Sequence, residues 1–123
     1  MKKLDLKIIN GTIANATETF RSDIGIKDGI IVAIGKNIGD SKKIIDAEGQ
    51  LVLPGGIEAH CHIEQESSGG IMTSDDYYSG SVSAAFGGNT CIIPFAAQHR
   101  GQKLQDVLDL YHSRAKPKSV IDY

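Results

Sequence analysis

The sequence contains no tract of like charge, no apolar run of membrane length and no closely spaced cysteine pair. Thirteen Lys and Arg residues against fifteen Asp and Glu leave a net charge of −2, and the basic residues are scattered. Nucleic-acid binding normally needs a clustered basic face, so that class is set aside. Charges recur through Met1-Lys2-Lys3-Leu4-Asp5, which leaves no room for the apolar segment of a secretory signal. The longest apolar stretches, residues 30–34 for instance, are far too short to cross a bilayer, so no membrane partner is expected. Cys61 and Cys91 stand in unrelated contexts and neither belongs to a Cys-x-x-Cys, which suits a reduced, cytoplasmic protein. Asn10-Gly11-Thr12 and Asn15-Ala16-Thr17 match a glycosylation pattern, but without an export signal they read as turn residues. What remains is ordinary globular composition, 41% hydrophobic and 23% charged with 14 glycines, in 123 residues. By length alone that is one domain with a modest core.

The chain nevertheless has two halves. Residues 1–53 read as β-structure. Leu4, Leu6 and Ile8 alternate with Asp5 and Lys7, and the run is expected to stop at the turn dipeptide Asn10-Gly11. A second run over 22–27 meets Asp28-Gly29, a hairpin signal, and returns through 30–34. Segments 44–47 and 50–53 add two short strands around Glu48-Gly49. This is part of a small sheet or β-sandwich. Residues 29–36 superficially suggest a phosphate loop, but the glycine spacing is wrong and Asn37 replaces Ser or Thr, so the hairpin reading holds.

From Pro54-Gly55-Gly56 the pattern changes. Residues 57–63 read as a buried strand. Residues 73–86 read as a helix, with Thr73 and Asp76 as a capping box and Gly87-Gly88 as the stop. Residues 90–95 are a second strand with Pro94 at its end. Leu104, Val107, Leu108, Tyr111 and Ala115 share one helical face, with Pro117 following. Residues 119–123 begin a third strand. The order β-α-β-α-β implies an α/β fold with parallel strands and right-handed crossovers. A (β/α)8 barrel takes about 250 residues. Residues 54–123 therefore read as its first units, and the chain as the N-terminal piece of a larger protein.

The chemistry concentrates at His60 and His62. Residues two apart on a strand face the same way, with Cα atoms about 6.5–7 Å apart, and Cys61 faces away as a small packed residue. Two imidazoles so placed can converge on one metal at about 2.0–2.1 Å. The pair also lies at the C-terminal end of a parallel strand, where such folds place their chemistry. Taken alone, His-x-His equally fits two partly buried histidines held by ordinary hydrogen bonds. The other polar groups have plainer readings: Asp75 and Asp76 as helix caps, Glu64 and Glu66 as a solvated loop face or a substrate mouth, His99-Arg100-Gly101 as a site rim, and His112 as surface or packing.

Val52-Leu53-Pro54-Gly55-Gly56-Ile57-Glu58-Ala59-His60-Cys61-His62 resembles the opening signature of the cyclic amidohydrolases. Thr73-Ser74-Asp75-Asp76-Tyr77-Tyr78, Ala84-Ala85-Phe86-Gly87-Gly88-Asn89-Thr90 and Ser119-Val120-Ile121-Asp122-Tyr123 resemble the dihydropyrimidinase and hydantoinase branch. The resemblance implies a TIM barrel with a small β-sandwich, and a binuclear zinc centre to which His60 and His62 give two ligands. A carboxylated lysine, two further histidines and an aspartate acting as general base would fall after Tyr123. It also implies a hydrolase that opens the ring amide bond of dihydropyrimidines or 5-substituted hydantoins, a place in pyrimidine catabolism and a homotetramer. The 123 residues alone are then expected to be inactive. Dihydroorotases carry an arginine where this chain has Glu64, which would repel a substrate carboxylate, and rank lower. Gln65, Glu66 and Ser67 stand where many hydantoinases have Met-Pro-Phe, in the loop that gates the substrate's exocyclic group. Allantoinase and a non-catalytic scaffold, as among the neuronal dihydropyrimidinase-related proteins, are the alternatives.

Overall fold

The computed structural model describes residues 3–123, so Met1 and Lys2, which open the lysine-bearing N-terminus, lie outside the described residues. Contacts divide the chain into two compact units, Met1–Pro54 and Gly55–Tyr123.

The first unit is a five-stranded sheet of β1 (Leu4–Ala14), β2 (Thr19–Lys27), β3 (Ile30–Gly35), β4 (Ser41–Asp46) and β5 (Leu51–Val52). β1 is central, with β2 antiparallel on one side and β4 and then β5 parallel on the other. The Asp28-Gly29 hairpin forms as the sequence requires, both residues at positive φ (51° and 77°) as a tight primed turn demands. Asn10-Gly11 does not end the first strand. Asn10 takes a left-handed φ of 58°, and the register slips by one residue between Ile8 and Gly11. A bulge leaves the strand running to Ala14. Its Nδ2 donates to both carboxylate oxygens of Asp46 at 3.0 Å, and its carbonyl accepts from Gly49 N at 2.8 Å. Asparagine tolerates αL and satisfies its own neighbourhood, so the dipeptide signals a kink as readily as a turn. Leu4, Ile13 and Ile24 are buried.

The second unit contains β6 (Gly56–Cys61), α1 (Tyr77–Phe86), β7 (Asn89–Pro94) and α2 (Leu104–Ala115). β6 and β7 pair in parallel across α1, and Cys91 forms a further parallel bridge with Asp122, where the expected third strand begins. Ile63, Tyr77, Ile92, Val107, Tyr111 and Ala115 make the core. Three local expectations need correction. The strand ends at Cys61 rather than Ile63, and Ile57 is 63% exposed, because within this unit α1 and α2 do not cover that part of the sheet. The helix starts at Tyr77 and its capping box joins Asp76 to Ser79: Ser79 N donates to Asp76 Oδ1 at 2.9 Å, and Asp76 N to Ser79 Oγ at 3.2 Å. Thr73 instead belongs to the preceding loop. On α2, Val107, Tyr111 and Ala115 are buried, but Leu104 is 56% exposed and Leu108 partly so. The buried stripe is narrower than the apolar one.

Candidate metal centre

Gly55 and Gly56 place the start of β6 hard against β7. A Cβ on Gly55 would run into the Thr90 side chain, and one on Gly56 would stand 2.6 Å from Asn89 Oδ1. Close backbone approach needs glycine, which gives the Pro54-Gly55-Gly56 motif a mechanical role in strand pairing. From there β6 runs to its C-terminal end at His60 and Cys61, with His62 immediately beyond.

There the two imidazoles come together, their ring centroids 5.5 Å apart and inclined at 63°. Both lie against Phe95, each 4.8 Å away, with His62 stacked nearly parallel at 8°. Phe95 follows β7, and its N–H donates to the Cys61 carbonyl at 2.9 Å, which locks the neighbouring strand ends at the same level. Residues 90–95 read from sequence only as a strand. The signal for Phe95's role was its place at the matching end of the parallel neighbour.

Cys61 turns the other way and packs against the core. Burial, and secondarily the charge of Glu58, raise its thiol pKa. Among the described residues no third His, Cys, Asp or Glu joins the pair in a group able to hold an ion. The imidazoles therefore fit two positions of a ligand set, not a whole one.

The loop after His62 is tightly built. Gln65 N donates to Thr73 Oγ1 at 3.0 Å, Thr73 N donates back to the Gln65 carbonyl at 2.9 Å, and Glu66 pairs with Met72. Ser67 N donates to the Ile71 carbonyl, which closes the turn. Gln65 Oε1 lies 2.7 Å from His62 Nδ1. His99 is tied instead to Gln102: its N–H donates to the Gln102 side chain and its carbonyl accepts from Gln102 N. His112 packs beside Tyr123 at 5.7 Å between centroids.

Glu64 is not a solvated loop face. Its side chain is 17% exposed and receives Lys118 Nζ at 2.8 and 2.9 Å, together with Tyr77 N at 3.2 Å. Arg114 Nη1 donates to its carbonyl at 2.9 Å. Lys118 also reaches Asp76 at 3.3 Å, and its hydrogen bond to Glu64 raises its pKa. Glu64 thus latches the segment beside His62 to the start of α1 and the residues after α2. Its carboxylate is paired with Lys118.

No protein-family model matches the sequence. The D-hydantoinase of Geobacillus stearothermophilus is 44% identical over 117 residues, which is 94% of this chain and 25% of that protein. A D-hydantoinase of known structure superposes with a TM-score of 0.93 at 42% identity, over 98% of this chain and 26% of its own. The dihydropyrimidinase from Brevibacillus agri gives 0.89 at 40% identity, over the whole of this chain and 26% of its own. The chain thus spans about a quarter of the length of the relatives it matches. In sequence and in fold alike, the chain is similar to about a quarter of the length of D-hydantoinases and dihydropyrimidinases.

Proposed function

We propose that the chain is the N-terminal part of a metal-dependent cyclic amidohydrolase, in which His60 and His62 supply two ligands of a binuclear zinc centre. The substrates are the ring amides of dihydropyrimidines or 5-substituted hydantoins. The observation that carries this reading is the meeting of the two imidazoles at one strand end, both backed by Phe95. Metals of this kind polarise a carbonyl and lower the pKa of water. The part this chain plays is to hold two imidazoles side by side at the C-terminal end of β6, one on the strand and one immediately after it. In the same reading, residues 1–53 contribute to a β-sandwich and residues 54–123 open a TIM barrel. Gln65, Glu66 and Ser67 border the substrate entrance, and the full-length protein is a cytoplasmic homotetramer.

Two ligands hold zinc weakly, and no general base accompanies them, so the 123 residues alone have no hydantoinase activity. The test is metal content and turnover of dihydrouracil, hydantoin and allantoin by a full-length protein carrying this sequence. About two zinc ions per chain, with both metal and turnover lost in His60→Ala and His62→Ala, is the expected result. A metal-free, inactive full-length protein would overturn the proposal in favour of a scaffold, and preference for allantoin would shift the substrate.

A further inference from the structure

Gln65 meets His62 at its edge. Its Oε1 is 2.7 Å from His62 Nδ1, and an amide oxygen only accepts, so the hydrogen between them belongs to Nδ1. A neutral imidazole with its hydrogen on Nδ1 carries its lone pair on Nε2. The main chain of the glutamine is held in place, since its N–H and carbonyl both bond to Thr73, whose hydroxyl in turn donates to the Asp75 carbonyl at 3.3 Å. The face of the same ring is fixed by the near-parallel stack on Phe95. Face and edge together leave the imidazole one orientation. If the Gln65 amide turned over, its NH2 would meet Nδ1, the ring hydrogen would move to Nε2, and the ring could not ligate through that nitrogen.

We propose that Gln65 is a positioning residue for His62: it selects the Nδ1–H tautomer and so delivers Nε2 as the ligating nitrogen. The proposal rests on the reading of His60 and His62 as metal ligands. Partners of this kind characteristically alter metal affinity 10–100-fold when removed.

Long-range 1H–15N spectra of a full-length protein carrying this sequence, labelled with 15N at histidine, report which nitrogen carries the hydrogen. The expected result is Nδ1–H for His62 in the native sequence, retained in Gln65→Glu, and a shift toward Nε2–H in Gln65→Met. Titration with Zn2+, followed on the same signals, should give a Kd roughly 10–100-fold weaker for Gln65→Met than for the native chain. Gln65→Glu should stay within a few-fold. An Nε2–H native ring overturns the proposal without recourse to any variant, as does a Gln65→Met chain whose tautomer and zinc affinity are unchanged. If the tautomer answers to Gln65 but zinc moves neither histidine signal, the ligand role itself fails. The delivery of Nε2 then fails with it, a result distinct from loss of tautomer control.

Discussion

At Gly55, a single missing carbon decides how closely two strands can lie. Gly55→Ala would drive a methyl group into Thr90, and overpacking of this kind costs roughly 1–3 kcal/mol. Urea denaturation should show that loss, and Thr90→Ala in the same chain should recover part of it. Ile92, wholly buried in the second unit, gives a contrasting case: Ile92→Ala should cost roughly 2–5 kcal/mol, whereas Leu104→Ala, on an exposed position of α2, should change stability by less than about 0.5 kcal/mol. Equal losses at the two positions would mean that the apolar stripe, not the buried one, governs α2. The closeness of the His60 and His62 rings was legible from their two-residue spacing at the strand end. Phe95 and the Glu64 latch were not. Glu64 and Lys118 are 54 positions apart, and no local pattern in a single sequence announces a contact at that separation.

Among the elements, the segment joining β6 to α1 depends on charge and therefore on pH. Lys118, held by Glu64, has its pKa raised above the ordinary 10.5. Its contribution is complete below that value and is lost as pH rises through the folded one. Tyr77, pushed up to about 12 mainly by burial, acts with the same sign: folding favours its neutral form, and that support disappears between about 10 and 12. Asp76, lowered first by the Ser79 N–H and then by Lys118, contributes above its ordinary 3.8 and loses that contribution as pH falls through its folded value. Thermal unfolding should thus show a stability plateau between about pH 4 and 10 with losses on both sides. Tyr77→Phe should flatten part of the alkaline limb, and an unaltered limb in Tyr77→Phe and Lys118→Met would remove the latch from the account. The strand and helix order was readable because period-2 and period-3.6 patterns are local. The helix start was misplaced because Thr73 and Asp76 both satisfy the capping pattern, and only the pairing of Thr73 with Gln65 decides between them.

Across the whole molecule, exposed apolar side chains are prominent in each unit. Ile30, Ile31, Val32 and Ile34 in the first, and Ile57, Ile93 and Phe95 in the second, are all more than 40% exposed. Open strand edges with apolar faces invite pairing with other chains. Size-exclusion chromatography of the 123 residues should show association that grows with concentration, and Ile57→Lys with Ile93→Lys should reduce it. A compact monomer at every concentration would contradict this. The latch also gives the site a schedule. Chains are synthesised at about 5–20 residues per second, and Lys118 follows Glu64 by 54 residues, so the lysine is made roughly 3–11 s after its partner. For that interval the segment beside His60 and His62 lacks the Glu64–Lys118 tie that joins it to the residues after α2.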